Sequence, residues 1–284
     1  MDKNTKFGVL YIVATPIGNL DDISKRALKI LSSVDLCAAE DTKKSRILFN
    51  AYNIKTKITS YEKFNESKKL QYLISFLKSG KSIALISDAG TPLISDPGYL
   101  LVKKAHRVKI KVVPVPGPSS LISALSVSGL PLDKFVFYGF APRQRTAQVK
   151  FLKKVLANQE TSVFFESKVR ILSFLKSLFE VDPDRNIFVA REMTKLYETF
   201  YSGKVYEILE LFKLNKESIK GEFVLVIEGK RKQEIQDLLN EDQLEILNIL
   251  EKHMKKKDAA SLIAKSFGSN KKSIYNLIAK KNRI

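Results

Sequence analysis

The stretch SIALISDAGTPLISDPG, residues 82–98, decides the fold prediction, because an apolar run leads directly into a long loop of turn residues. A short, continuous apolar run bounded in this way is typical of a strand buried on both faces of a parallel sheet. The loop beyond the carboxyl end of such a strand is where α/β proteins place ligands. Three interpretations of the loop are open: simple turn chemistry, a phosphate cradle, or the wall of a cofactor pocket.

Residue types alone bear on two of these interpretations, the phosphate cradle and simple turn chemistry. The first loop of the chain, Thr15–Leu20, has one glycine, and Pro16 removes a backbone N–H that a phosphate would use. The chain contains neither a dinucleotide fingerprint nor a P-loop motif, so a phosphate cradle is disfavoured. Asp96 and Pro97 are typical of a helix start and predict a cap for a helix at Tyr99. With the helix start assigned to Asp96 and Pro97, Asp88 and Gly90 have no evident structural role.

Strand-like and helical patterns alternate over most of the chain, which predicts an α/β fold. The segment 114–120 interrupts them with three prolines and a glycine, and it predicts a hinge followed by a helix capped by Ser119 or Ser120. We therefore expect two α/β lobes, residues 1–117 and 118–232, and an all-helical module, residues 233–284. The predicted strands are 8–14, 36–39, 58–61, 82–87, 111–115, 135–140, 161–165, 186–190 and 222–228. The predicted helices of the lobes are 20–33, 66–77, 99–107, 121–128, 168–179 and 204–212.

The C-terminal module carries an apolar stripe and a dense positive charge. Asn240 with Gln243 predicts a helix start, and the stripe consists of Leu244, Leu247, Leu250 and Met254. Two further helices are predicted at 258–267 and 271–280, with Ala264, Gly268 and Ile274 at a spacing that resembles a helix-turn-helix. The alternative is a capping bundle with a solvated lysine face.

Charge and composition restrict the classes of function. Forty-nine Lys and Arg residues against 30 Asp and Glu residues give a net charge of +19, which favours a polyanion such as nucleic acid, although a lysine-rich surface is an alternative. A single cysteine excludes an internal disulfide, and two distant histidines make a metal site improbable. No apolar run is long enough for a bilayer and no secretory pattern begins the chain, so we expect a cytoplasmic protein without metal.

Carboxylates follow strands in both lobes. Glu40 and Asp41 could act as a base, although Asp41 could also cap the next helix. Segments Phe165–Ser167, Ala190–Glu192 and Gly221–Phe223 bring polar groups to strand ends of the second lobe. Together these positions predict a cofactor site in a cleft between the lobes.

At these residues the sequence resembles a known family, the ribosomal RNA small-subunit methyltransferase I family. The matching segments are LYIVATPIGNLDDIS (10–24), AAEDT (38–42), SDAGTPLISDPGY (87–99), VVPVPGPSS (112–120), GFAPR (139–143), FFES (164–167) and ARE (190–192). The resemblance implies a tetrapyrrole-methylase fold (class III methyltransferase) of two α/β lobes, usually a homodimer, with S-adenosylmethionine in the cleft. It also implies methylation of a cytidine 2′-hydroxyl in the decoding region of 16S ribosomal RNA.

Carried over position by position, the resemblance assigns thirteen residues to cofactor binding. They are Thr15, Pro16, Gly18, Asp88, Ala89, Gly90, Thr91, Ile94, Ser119, Ser120, Phe165, Ala190 and Glu222. The 2′-hydroxyl is a weak nucleophile and needs a proton acceptor, for which the candidates are Glu40, Asp41 and Glu192. RNA contacts are expected from Arg143, Arg191, Lys255, Lys256, Lys257, Lys271 and Lys272. The substrate is expected to be the RNA in the small ribosomal subunit.

Two other functions compete with this one. An enzyme of the same fold that methylates a small tetrapyrrole would need neither the charge nor the lysine-rich end, and it usually has a more glycine-rich first loop. A non-enzymatic RNA-binding protein could have kept the fold without binding S-adenosylmethionine.

Overall fold

The structure, a computed structural model, describes residues 7–230, 239, 241–272, 274, 275 and 278. The chain divides into two compact units. One contains both sheets and runs to Leu156 and from Glu160 to Glu228, and the other contains Ala157–Gln159 and the residues from Gly229 onward. The boundaries at residues 117 and 232 stay predictions.

The first sheet is parallel throughout and confirms the pattern predicted for the N-terminal part of the chain. Its five strands lie in the order β3-β2-β4-β1-β5, so β1 and β4 are neighbours at its centre. The strands are β1 Val9–Val13, β2 Leu36–Ala39, β3 Ile58–Ser60, β4 Ile83–Ile86 and β5 Lys111–Val115. The helices of this part are α1 Lys25–Ser33, α2 Thr42–Ala51, α3 Glu66–Lys78, α4 Tyr99–Arg107 and α5 Ser120–Val127.

Helices cover both faces of this sheet, which explains why its central strands are apolar throughout. Every residue of β2 and β4 is buried. Alternate residues point to opposite faces, so Ala84 and Ile86 join one core cluster while Ile83 and Leu85 join the other. The carboxyl ends of β1, β2 and β4 therefore meet at one edge, where the loops with the candidate site residues begin.

The second sheet is mixed. Its order is β6-β7-β10-β8-β9, with β6 and β7 parallel and the remaining pairs antiparallel. The strands are β6 Phe135–Phe140, β7 Thr161–Ser167, β8 Asn186–Arg191, β9 Thr199–Lys204 and β10 Glu222–Ile227, and the helices are α6 Arg145–Leu156, α7 Ile171–Val181 and α8 Val205–Leu214. One face packs on these helices and the other on α5 and Ile17.

Strand β6 contains a bulge that alters its register. Phe137 pairs with Val163 and Gly139 with Phe164, so one residue of β6 has no partner between them. Gly139 has φ 64°, a left-handed conformation that favours glycine. A bulge of this kind re-aims the side chains that follow it, here that of Phe140.

Two predicted helix starts are wrong in detail. Helix α4 does begin at Tyr99, but Gly98 is its N-cap residue and Asp96 makes no cap. Instead Glu66 of α3 accepts hydrogen bonds at 3.1 Å from the backbone N–H groups of Gly98 and Leu100 through Oε1. The helix predicted over 20–33 is broken, because Ser24 Oγ accepts from the Ala27 N–H and starts α1 after a short 3₁₀ turn at Leu20–Asp22.

Helix α6 and strand β9 were not predicted, and α2 was expected only as the helix that Asp41 could cap. Ser119 is the N-cap residue of α5, as predicted, although its side chain makes no capping hydrogen bond. Strand β9 was not predicted because its sequence, TFYSGK, contains few apolar residues. It lies at the sheet edge, where only one neighbour is needed.

The C-terminal unit has its own apolar core. Its described helices are α9 Glu241–His253 and α10 Lys256–Phe267. The predicted stripe is confirmed, since Leu244, Leu247, Leu250 and Met254 all belong to one cluster with Ala259, Ala260, Ile263 and Ile274. Gly268 ends α10 in the left-handed conformation, with φ 67°. The predicted cap residue Asn240 and half of the positions of the helix predicted over 271–280 lie outside the described residues, and the five described positions of that helix are helical.

Candidate active site

The loops after β1 and β4 are joined by a pair of backbone hydrogen bonds. The Thr15 N–H donates to the Gly90 carbonyl and the Gly90 N–H donates to the Thr15 carbonyl, both at 2.9 Å. Gly90 has φ 77°, and a Cβ there would lie 3.3 Å from Ile17 Cγ2. Gly90 therefore has a structural duty, contrary to expectation: it lets the two loops pair closely.

Asp88 also has a structural duty that the sequence did not reveal. Its Oδ1 accepts a hydrogen bond from the Asp41 N–H at 3.0 Å, and its Oδ2 pairs with Lys44 Nζ at 2.6 Å. Asp88 thus links the loop after β4 to the start of α2. The interaction with Asp88 raises the Lys44 pKa, which keeps this lysine charged.

Three carboxylates cluster at this edge of the first sheet. Glu40 Oε2 accepts a hydrogen bond from the Asp88 N–H at 3.3 Å, and burial, with the nearby Asp88 charge, raises the Glu40 pKa. Burial also raises the Asp96 pKa to about 6, and the charges of Glu40 and Asp88 add to this effect while the Ser87 hydroxyl opposes it. Asp96 is a residue that sequence analysis assigned to a helix cap.

On the second lobe, Lys195 joins two acids. Its Nζ lies 3.0 Å from Glu192 Oε1 and 2.8 Å from Glu222 Oε2. Burial alone would lower the Lys195 pKa, but these hydrogen bonds outweigh it and raise the pKa. In Glu192 burial is likewise outweighed, so the Glu192 pKa is lowered. The same β8–β9 loop reaches the first lobe, where Thr194 Oγ1 accepts from the Asn19 N–H at 3.1 Å.

Three adjoining cavities form the cleft. One of about 260 Å³ has apolar walls from Ile17, Phe165 and Met193, and Phe140 stands between it and a second one of about 140 Å³. A third of about 510 Å³ lies at the first loop and contains Lys44 and Lys195.

Of the thirteen positions assigned to the cofactor, twelve line one or more of these cavities. The second cavity takes Ala89, Gly90, Thr91, Ile94, Ser119, Ser120 and Phe165, and the third takes Thr15, Pro16, Gly18, Asp88, Ala89 and Glu222. The remaining position, Ala190, is 1% exposed and lines none of these three cavities. The sequence positions therefore converge on one cleft.

The three base candidates differ in their surroundings. Asp41 Oδ1 accepts from the Lys43 and Lys44 N–H groups, which lowers the Asp41 pKa and confirms its capping role at α2. Glu192 is held by Lys195 and by the Glu222 N–H. Glu40 is the one of the three whose pKa is raised toward neutrality.

The expected RNA contacts fall in two places. Arg143 is exposed after β6, whereas the Arg191 guanidinium already donates to the Lys220 and Tyr197 carbonyls. The five lysines of the C-terminal unit, Lys255, Lys256, Lys257, Lys271 and Lys272, are all exposed.

Four residues that shape the cleft were not predicted as site residues from the sequence: Lys44, Asp96, Lys195 and Phe140. Lys44 and Lys195 gave no signal in a lysine-rich chain, since only the fold brings them to Asp88 and Glu222. Asp96 precedes a proline, which favoured its interpretation as a helix cap. Phe140 did not stand out because the chain contains 17 phenylalanines.

Comparison with known proteins identifies the family of the chain. A family described as Tetrapyrrole (Corrin/Porphyrin) Methylases matches residues 9–209. "Ribosomal RNA small subunit methyltransferase I" of Buchnera aphidicola subsp. Acyrthosiphon pisum is 42% identical over 96% of this chain and 97% of its own length. This chain is a member of that methyltransferase family. The protein of the same name from Thermotoga maritima is 48% identical over 78% of this chain and 99% of its own.

Solved structures outside the methyltransferase I family share its fold. The uroporphyrin-III-C-methyltransferase from Thermus thermophilus superposes with a TM-score of 0.56 at 20% identity, covering 82% of this chain and all of that one. Diphthine synthase gives 0.60 at 14% identity, covering 78% and 90%. These similarities confirm the tetrapyrrole-methylase architecture and carry no further argument about substrate.

Two other kinds of feature are absent from the described residues. Over these ranges no helix is long and apolar enough to cross a membrane. Within the same part of the chain, no group of three or more His, Cys, Asp and Glu side chains is placed to hold a metal ion.

Asp96→Asn is expected to stabilise the protein at neutral pH. The Asp96 pKa of about 6 lies above its ordinary value of 3.8, so folding disfavours the charged form. The free energy of unfolding of the wild type therefore falls as pH rises from about 4 to about 6, and stays lower above that range. Asparagine carries no charge, so burying it does not incur the free-energy cost of a buried carboxylate. The thermal midpoint of the variant should exceed that of the wild type by a few degrees at pH 7.5, about 2–4 °C for each kcal/mol.

Scanning calorimetry at several pH values between 4.5 and 7.5 would measure this difference. The exposed Asp133, changed to Asn, is the matched control and should show no growing difference. A stabilisation of Asp96→Asn that is equal at every pH would contradict the electrostatic explanation.

Proposed function

We propose that this methyltransferase uses S-adenosylmethionine to methylate the 2′-hydroxyl of a cytidine in the decoding region of 16S ribosomal RNA. The observation that carries the proposal is the convergence of twelve of the thirteen family-assigned positions on one cleft. The name of the relatives and the chain's net charge of +19 support a ribosomal RNA substrate. The protein would act in the cytoplasm, as a homodimer, on the small subunit.

The chemistry of the cleft fits S-adenosylmethionine. Its sulfonium and ammonium groups are cations, and Asp88, Asp96 and Glu222 supply carboxylates to the cavities. Its adenine needs apolar walls, which Ile17 and Phe165 supply. When bound, the cofactor supplies an electrophilic methyl group and leaves as a neutral thioether.

The protein's part in the reaction is alignment and removal of one proton. The paired loops at Thr15 and Gly90 would hold the cofactor rigidly, since proximity and orientation supply much of the rate of a displacement. The 2′-hydroxyl proton would pass to a carboxylate as the oxygen–methyl bond forms. Of the three candidates, Glu40 is the strongest base, because its pKa is raised while the Asp41 and Glu192 pKa values are lowered, and Glu192 is the one of the three that lines a cavity of the cleft.

RNA capture would be shared between two surfaces. Arg143, exposed after β6, would bind a phosphate near the cleft, and Arg191, whose Nε and Nη1 already donate to the Lys220 and Tyr197 carbonyls, would contribute through its remaining Nη2. The exposed lysines of the C-terminal unit, Lys255, Lys256, Lys257, Lys271 and Lys272, would add electrostatic affinity.

A labelled methyl-transfer assay tests the function. Purified protein, S-[methyl-³H]adenosylmethionine and small ribosomal subunits from a strain lacking this methyltransferase are incubated, and the label is mapped by digestion and mass spectrometry. We expect a single 2′-O-methylcytidine in the decoding region. Label on a base, at another site or only on a tetrapyrrole precursor supplied in parallel would contradict the proposal.

Glu40→Gln should lower turnover strongly and leave cofactor binding intact. Loss of a general base costs about 10²–10⁴-fold in rate, whereas the amide keeps the size of the side chain and can still accept from the Asp88 N–H. Single-turnover kinetics and calorimetry with S-adenosylmethionine measure the two effects. Glu62→Gln, at an exposed carboxylate before α3, is the control. Unchanged turnover in Glu40→Gln would remove Glu40 as the base.

Replacing Lys255, Lys256 and Lys257 together by alanine should weaken RNA binding without altering cofactor affinity. Each lysine that neutralises a phosphate contributes about 1 to the slope of log affinity against log salt concentration, so the slope should become shallower in the variant. Filter binding at several salt concentrations measures this slope. The control replaces Lys78, Lys81 and Lys111, which are exposed lysines at the end of α3, before β4 and at the start of β5. It removes the same charge. Equal weakening in both triple variants would show a general charge effect only.

A further inference from the structure

Phe140 is a half-exposed aromatic residue at the junction of two cavities in the cleft. Its side chain is 53% exposed and lines both the 260 Å³ and the 140 Å³ cavity. It follows directly on the β6 bulge at Gly139, whose conformation re-aims the strand. The exposed face of this ring is turned to two cavities that also contain positions assigned to the cofactor, so it is available to a ligand in the cleft.

The Phe140 ring is held in place by its neighbours. Phe165 meets it edge-on, with ring centroids 6.1 Å apart, and the Arg170 guanidinium lies 6.0 Å from its centroid. Arg170 is itself fixed, because it pairs at 2.9 Å with the fully buried Glu166 carboxylate and donates to the Ala141 carbonyl. A preorganised ring loses little conformational freedom when a partner stacks on it.

On the basis of the proposed function, we infer that Phe140 is the platform on which the base of the target nucleotide stacks. The reacting hydroxyl is on the ribose, so chemistry alone does not require the base to unstack, but selecting one particular nucleotide of RNA usually relies on a splayed base, and aromatic side chains are the usual partners of such bases. Phe140 lines the same cavities as cofactor positions such as Ser120 and Phe165 but is not itself one of the thirteen positions assigned to the cofactor, which leaves its exposed ring for the second substrate.

Nearby aromatic residues are less suitable. Phe165 is partly buried beneath Phe140, with Phe137 edge-on to it at 4.8 Å. Phe135, on the same strand, is 41% exposed but lines none of the three cavities, which makes it a matched control for an exposed phenylalanine of β6.

A cycle that removes the ring and the base separately tests the inference. The affinities of wild type, Phe140→Ala, Phe140→Leu, Phe140→Tyr and Phe135→Ala are measured by fluorescence anisotropy. One RNA hairpin carries the decoding-region cytidine and the other has an abasic site at that nucleotide. The wild type should prefer the cytidine hairpin by at least about five-fold, as expected for one base–aromatic stack. Phe140→Ala and Phe140→Leu should lose that preference, while Phe140→Tyr and Phe135→Ala keep it.

Calorimetry with S-adenosylmethionine completes the experiment. Cofactor affinity should be the same in Phe140→Ala and wild type. A cytidine preference that survives in Phe140→Ala, or a loss of cofactor affinity as large as the loss of RNA affinity, would overturn the inference. Failure of the proposed function is distinct: the wild type would then bind neither hairpin or transfer no methyl group to the small subunit.

Discussion

The two hydrogen bonds between Thr15 and Gly90 are the constraint on which the rest of the cleft depends. They join the loops of two central, adjacent strands just beyond the ends of those strands. The pairing places residue 90 in a left-handed conformation, φ 77°, with Ile17 Cγ2 3.3 Å from where a Cβ would lie, so any L side chain there would be strained and would press on Ile17. The Thr91 hydroxyl extends the connection by donating to the Pro118 carbonyl at 3.1 Å, which links the same loop to the segment between the sheets. The loop after β4 thus contacts both the loop after β1 and the segment before α5.

The carboxylates at the carboxyl end of the first sheet affect both the stability of the fold and the binding of a cation. Burial raises the pKa values of Glu40 and Asp96, the neighbouring carboxylate charges, including that of Asp88, raise them further, and Lys44 is the cation that pairs with Asp88. Asp96 makes no helix cap, since Glu66 occupies that role. A partly buried acid without a capping role destabilises the fold at neutral pH. Under the proposed function the same negative field would attract a sulfonium cation, and such a conflict between stability and activity is common in active sites.

The sequence allowed the parallel sheet and the segment between the sheets to be predicted, because both depend on local residue types, whereas the cofactor positions came from the resemblance to a known family. Apolar runs such as Ile83–Ile86 are buried on both faces wherever helices cover the sheet. What could not be predicted depends on contacts between distant residues. Asp96-Pro97 satisfied the local rule for a helix start, but Glu66, thirty residues earlier in the chain, provides the cap instead. Lys195 is likewise indistinguishable from other lysines until the fold brings it to Glu222.

Backbone strain is concentrated on both sides of the cleft. Six non-glycine residues of the described chain have positive φ, and four of them lie in its loops: Leu93 and Ser95 after β4, and Glu192 and Thr194 after β8. Such conformations cost about 1–3 kcal/mol each and persist only where the surroundings impose them. Thr194 shows how they are imposed, because its N–H donates to Glu198 at 2.6 Å while its hydroxyl accepts from the Asn19 N–H of the other lobe. The strained β8–β9 loop therefore spans the cleft at the first loop, and a rigid opening is what alignment of two substrates for an in-line transfer requires.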